Sequence, residues 1–185
     1  MSSDERTFHL LLDAFSLKHL PRTGWKRMNA PLESVADHSF GVAIIALVLA
    51  KMEGLSSSDE SILLKRALLH DLHEVKIGDL TPGEKKAIRP DELGAEAEML
   101  SGTHLEEELA MLQSDRDVTG TLVPRPSKLA LLCNDADKLD MLFRAIENAN
   151  AGNREMGPFV SSALQQIKSV SGKKIAKLAL VRLRR

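Results

Sequence analysis

The sequence predicts an all-α fold in a single compact domain, and three observations carry that prediction. Apolar residues recur at three- and four-residue intervals along most of the chain, while two-residue alternation is scarce. Ser/Thr-x-x-Asp/Glu signatures stand ahead of the apolar runs, as they do at helix starts. Tyrosine is absent and aromatic residues make up only 3% of the chain, so several strand-favouring residue types are rare. We expect six to nine helices within one domain spanning 1–185, with no repeat and no low-complexity segment.

Residues 5–20 form the first expected helix, with Leu11, Leu12, Phe15 and Leu20 among its apolar positions and Pro21 as its stop. A loop follows to Pro31 and holds the only tryptophan, Trp25. Ser34 and Asp37 form a capping box that opens a helix to about Met52, closed by Gly54. Ser57 and Glu60 repeat the signature and open a helix running to about Lys76, stopped by Gly78. Thr81 and Glu84, with Pro82 at the first helical position, start a short helix that Pro90 ends. Residues 91–114 are helical, with a break expected at Ser101-Gly102 and Thr103-x-x-Glu106 capping the second piece. Residues 118–126 are a loop with two prolines, and 127–148 a long helix. Two shorter C-terminal helices lie within 158–184, at about 158–170 and 173–184, separated by Gly172.

Bulk properties narrow the function. The formal net charge is −1 with both signs interspersed, which argues against a general nucleic-acid binder. Basic residues concentrate only at the end, from Lys173 and Lys174 through Arg182, Arg184 and Arg185, and read as a solvated helix face. The longest apolar run, residues 42–50, falls short of the roughly 20 residues of a membrane span. The single cysteine, Cys133, allows no internal disulfide, and the first residues carry no signal-peptide pattern. Cytoplasmic localisation is the expectation.

Four polar residues interrupt faces that should be apolar. His38 heads the inward stripe Val42, Ile45, Leu49. His70 lies on the stripe of Leu63, Ala67 and Ile77 together with Glu74, and Asp71 borders it. Asp137 lies between Cys133 and Met141 in the middle of the long helix. An unpaired carboxylate on a buried face costs several kcal/mol, so it must be paired, protonated or metal-bound. Each position alone has an ordinary alternative. His38 can be a core histidine bonded to a carbonyl, the 70–74 group surface polarity at a helix end, and Asp137 one half of an ion pair. Together, two imidazoles and two carboxylates from three helices make a ligand set for a divalent ion such as Mn, Co, Mg, Fe, Ni or Zn. His9, His19 and His104 have no comparable acidic neighbour on an inner face, and His73 lies on another side of its helix; all four read as structural.

With His38, His70-Asp71 and Asp137 in this order, the chain resembles the HD-domain metal-dependent phosphohydrolases, whose pattern is H…HD…D on a helical fold. The segments Leu20-Pro-Arg-Thr-Gly-Trp25, Glu33-Ser-Val-Ala-Asp-His38, His70-Asp-Leu-His-Glu74, Gly78-Asp-Leu-Thr-Pro82 and Asp137-Lys-Leu-Asp-Met141 look like the YfbR-type 5′-deoxynucleotidase subgroup over residues 8–150. The resemblance implies removal of phosphate from (deoxy)nucleoside 5′-monophosphates, with metal-activated water attacking phosphorus. It implies metal ligation by His38, His70, Asp71 and Asp137, a catalytic Glu74 beside the water, and Asp79 near the sugar and scissile ester. It places Arg22 on the 5′-phosphate and Trp25 at the substrate, although the Arg-Thr-Gly-Trp spacing departs from the bacterial enzymes, where the tryptophan lies closer to the arginine. A small nucleotide as substrate and a homodimer follow from the same resemblance; no nucleic-acid or membrane partner is expected, on the charge and apolar-run grounds above. Within the enzymes, the alternative is action on cyclic nucleotides, nucleoside triphosphates or alarmones; outside them, a non-catalytic HD binding module.

Overall fold

The computed structural model describes residues 1–117 and 120–183. Val118 and Thr119 in the expected loop, and Arg184 and Arg185 in the basic terminus, lie outside the described residues. The described residues hold eleven α-helices: α1 (Ser3–Ser16), α2 (Thr23–Arg27), α3 (Val35–Met52), α4 (Ser57–Leu69), α5 (Glu74–Ile77), α6 (Pro82–Ile88), α7 (Glu92–Leu100), α8 (Glu108–Gln113), α9 (Lys128–Asn150), α10 (Gly157–Gln166) and α11 (Val170–Leu180), with a 3-10 turn at Arg154–Met156 before α10. This exceeds the six to nine expected because α2, α5 and α8 are short segments of four to six residues. Helical periodicity over so few residues cannot be told from a loop.

Local chemistry accounts for most boundaries. Ser34 and Asp37 close the capping box of α3, and Thr81 and Glu84 that of α6. Ser56, one residue earlier than expected, caps α4 by accepting from the backbone N–H of Asp59. The expected helix through Lys76 is broken. The chain leaves α4 at Leu69, turns through residues 70–73 and re-enters helix at Glu74. Thr103 does not cap α8; its hydroxyl serves the turn instead, accepting from Leu105 N–H and donating to Leu100 C=O.

Helix α9 is the axis of the fold and packs against α3, α4, α10 and α11. Leu49, Leu63, Leu132, Leu139 and Leu142 are fully buried along it. Each contributes roughly 1.5–3 kcal/mol of transfer free energy. A second apolar cluster unites Leu10, Leu17, Val35, Leu72, Leu100 and Leu112. Val42 and Ala67 belong to the first cluster, Val35 and Leu72 to the second. His38 and His70 therefore lie on the seam between the two. By length and composition α3 alone among the described helices could cross a membrane, unlike the shorter uninterrupted run counted in the sequence. Here it packs against α4 and α9. Asp135, fully buried on α9, accepts from the backbone N–H groups of Lys168 and Ser169 and pins the start of α11.

Candidate metal centre and substrate cleft

The capped first turn of α3 carries His38, and the broken turn after α4 carries His70 and Asp71. Helix packing brings them together: ligand-type atoms of all three lie within 4.8 Å of one another. Asp71 Oδ2 is 3.2 Å from His70 Nε2 and 3.6 Å from His38 Nε2. The rings meet edge-on, with centroids 5.4 Å apart.

Each histidine is held by its other nitrogen. His38 Nδ1 bonds Asp140 Oδ2 at 2.7 Å, and His70 Nδ1 donates to the Ala67 carbonyl at 2.9 Å. Both Nε2 atoms are buried and have no hydrogen-bond partner. A buried nitrogen without a partner is costly. Two of them converging on an ionised carboxylate are what a divalent cation accepting N and O donors would satisfy, so these residues fit such an ion.

Asp137 stands slightly apart from this group. Its Oδ1 is 3.4 Å from His38 Nε2, while its Oδ2 accepts from Lys138 Nζ at 2.7 Å. It is thus an ion-pair member and a neighbour of the histidines at once, and its Oδ1 faces the centre.

The charge states of the two aspartates suit ligation. Burial opposes ionisation of Asp71, but His70, His38 and Arg22 outweigh it and hold the group well below the usual carboxylate range. Burial also opposes ionisation of Asp137, and Lys138, His38 and His70 reverse it. Burial and Arg22 work against a charged His38 ring, yet Asp137 and Asp140 raise its pKa to about 9. Protons therefore compete with any cation at His38. Glu74, buried on α5, is pushed up to about 10 by burial, then by Asp71 and Asp79. Its Oε2 has no partner.

Arg22 and Asp79 come from loops that are tied together. Thr23 donates its backbone N–H to Asp79 Oδ2 and its hydroxyl to the Asp79 carbonyl, the latter at 2.6 Å. Arg22 Nη1 lies 3.2 Å from Asp71 Oδ2 and 3.8 Å from Asp79 Oδ1. Burial disfavours its charge, but Asp71, Asp79, Asp137 and Glu74 prevail and keep it cationic. A cleft of about 610 Å³ opens here, lined by Arg22, Asp71, Glu74, Asp79, Asp137 and Met141 among others. That volume is within the range of small-molecule sites. Trp25 lines it too, but is only 2% exposed: its ring packs on Phe159 at 4.8 Å and its indole N–H donates to Glu33. It forms the wall of the cleft and offers little free ring face.

Three neighbours escaped the sequence reading: Asp140, Lys138 and Lys85. Lys85 lines the cleft and pairs with Glu92 at 2.8 Å. The available signal for Asp140 was its i+3 spacing from Asp137, together with a glycine, Gly41, three residues after His38 inside an apolar helix. Of the other histidines, exposed His104 meets Asp4 at 2.8 Å, and His73 is buried beside Glu92 and Glu96. Cys133 is buried, which raises its thiol to about 12 and leaves it unreactive.

An all-α fold that brings two outer-braced imidazoles together with a carboxylate lining an arginine-bearing cleft defines a class: helical proteins with a histidine–aspartate cluster fit for a metal ion. Within that class the chain belongs to the HD domain family, whose profile matches residues 14–179, and it is an HD domain phosphohydrolase. It is 32% identical over 142 residues to the 5′-deoxynucleotidase HDDC2 of Dictyostelium discoideum, covering 71% of each chain. Against the 5′-deoxynucleotidase HDDC2 of Bos taurus it is 32% identical over 144 residues, covering 75% of this chain and 65% of that one. A conserved hypothetical protein from Pyrococcus furiosus superposes with a TM-score of 0.74 at 30% identity, covering 96% of this chain and 98% of that one.

Proposed function

We infer that the protein is a metal-dependent 5′-deoxynucleotidase, hydrolysing deoxynucleoside 5′-monophosphates to nucleoside and inorganic phosphate. One observation carries the reading: the partnerless Nε2 atoms of His38 and His70 meet Asp71, which lines a cleft that also presents Arg22, Glu74 and Asp79. The names of the HDDC2 relatives supply the substrate class.

His38, His70, Asp71 and Asp137 would hold the divalent ion. When bound, the ion lowers the pKa of water and neutralises phosphoryl charge. The chain's own groups do the rest. Arg22 presents a planar fork to phosphate oxygens, and its present partners, Asp71 and Asp79, keep it charged and oriented. Glu74, one short turn beyond Asp71, orients the attacking water and takes its proton. A nearby cation opposes the burial and the carboxylates that raise Glu74, moving it toward the range a general base needs. Water forms the new P–O bond and gives its proton to Glu74, the bond from phosphorus to the 5′-oxygen breaks, and the alkoxide takes a proton from solvent, to which Glu74 in turn releases the one it accepted. Asp79 fixes the Arg22–Thr23 loop through Oδ2 and lines the cleft, where its carboxylate would meet the sugar or the leaving oxygen.

The proposal includes a homodimer. It is supported by Phe40, Ile44, Val48 and Met52, which follow one another at i+4 along α3 and are each at least 40% exposed. Ile44→Asp should shift the molar mass measured by light scattering from dimer to monomer.

The decisive experiment is phosphate release from 5′- and 3′-monophosphates, cyclic nucleotides and triphosphates, using protein stripped of metal and resupplied with Mn, Co, Mg or Zn. Metal-dependent release from deoxynucleoside 5′-monophosphates is the expected result. Activity confined to cyclic nucleotides or triphosphates overturns the substrate assignment, and folded protein silent with every metal overturns the enzyme.

A further inference from the structure

We propose that Asp140 is a positioning residue for the metal centre, acting through His38, and that Gly41 is the notch that lets it do so. The inference rests on the reading of His38 as a metal ligand. A carboxylate can only accept a hydrogen bond, so the 2.7 Å contact from Asp140 Oδ2 requires the proton on His38 Nδ1. In the neutral ring, the form that can ligate, the lone pair is then on Nε2, the atom that faces Asp71 and Asp137. With only 1% of its side chain exposed, His38 has no room to reorient into solvent.

Gly41 lies three residues beyond His38 on the same face of α3. A Cβ there would fall 2.0 Å from Asp140 Oδ1 and 3.0 Å from its Cγ, closer than any side chain can approach. Glycine is a poor residue for a helix interior, and Gly41 is not among the positive-φ residues that need it for backbone reasons. Its place is explained by the carboxylate that fills the space. The two histidines are thus braced differently: His70 by a neutral carbonyl from its own helix, His38 by an anion from α9. An anionic brace makes the imidazole a stronger donor. It also makes the geometry at His38 depend on how α3 packs against α9.

The test measures the affinity of ion-free protein for Mn²⁺ by calorimetry at fixed pH, alongside thermal unfolding of the same protein. Asp140→Asn should weaken Mn²⁺ binding by about 10–100-fold, the loss typical of outer-partner substitutions. Turnover should return toward the wild-type kcat once Mn²⁺ is saturating. Asp140→Glu should recover part of the affinity. Gly41→Ala changes no charge and improves helix propensity, yet it should weaken Mn²⁺ binding in the same direction by displacing Asp140. If Asp140→Asn does not fold, Gly41→Ala decides alone. Wild-type affinity in the folded variants overturns the positioning role while leaving the metal site intact. Wild-type protein that binds no divalent ion overturns the ligand reading, and this inference with it.

Discussion

Two inward-facing groups of histidine and carboxylate lie close together in this fold, and they have opposite fates. In the first, His38 and His70 turn partnerless Nε2 atoms toward Asp71. Five carboxyl groups, those of Asp71, Glu74, Asp79, Asp137 and Asp140, surround the two cations Arg22 and Lys138. In the second, His73 lies 3.3 Å from Glu96 and 3.8 Å from Glu92. There Arg116 spans both glutamates, and Lys85 adds a further bond to Glu92. Residue types alone do not separate the two. In the second group Arg116 and Lys85 match the two glutamates in number, and Arg116 joins α7 to the segment after α8. The first has an excess of acid, imidazoles braced from behind, and a cleft in front. A histidine–carboxylate cluster has the charge to take up a cation when its acids outnumber the chain's own cations, and serves as a strut when they are matched.

The sharpest way to break this contrast is at its centre. Asp71→Asn should abolish both divalent-ion binding and phosphate release, down to background, in protein that still folds; retained turnover in a metal-verified sample would sink the assignment. Glu74→Gln should act on the chemistry and spare the ion. Its kcat should fall by about 10²–10⁴-fold while metal content per molecule stays at the wild-type level. In the second group the effect should move to stability. Arg116→Met leaves Glu96 buried without its counterion, at a cost of about 3–5 kcal/mol in denaturant unfolding. Metal affinity of the folded fraction should hold; a parallel loss would show that the two groups are one functional unit.

The smallest effect is a pH dependence. Burial works against the ionised form of Glu96, but His73 and Arg116 overcome it and bring the pKa below its ordinary 4.5. A carboxyl lowered in the folded state stabilises above its unfolded pKa and loses that contribution as pH falls through the folded value. Melting temperature should therefore drop below about pH 4.5, and Glu96→Gln should flatten that limb of the profile.

Much of this was legible in the sequence. Each of His38, His70 and Asp71 falls on or beside an apolar stripe, where a polar group needs a reason, and the capping boxes at Ser34 and Thr81 fixed the helices around them. The break after Leu69 was not legible. The apolar period continues across residues 70–73 although the backbone does not, because the turn keeps Leu72 on the inner side. Nor did α9 reveal which of its acids faces what. Asp135 caps α11, Asp137 divides itself between Lys138 and His38, and Asp140 braces His38, all within two turns of one helix.

By itself the sequence determined the helical class, most helix starts and the residues proposed to hold the ion, because periodicity and capping are local and a polar residue on an apolar stripe is conspicuous wherever it lies. Only the tertiary structure decided which buried acids are compensated. That depends on side chains distant in sequence, such as Arg116 on Glu96 and Asp140 on His38, and on the close approach of α3 to α9 at Gly41. Electrostatic compensation acts through space, and spacing along the chain does not encode it.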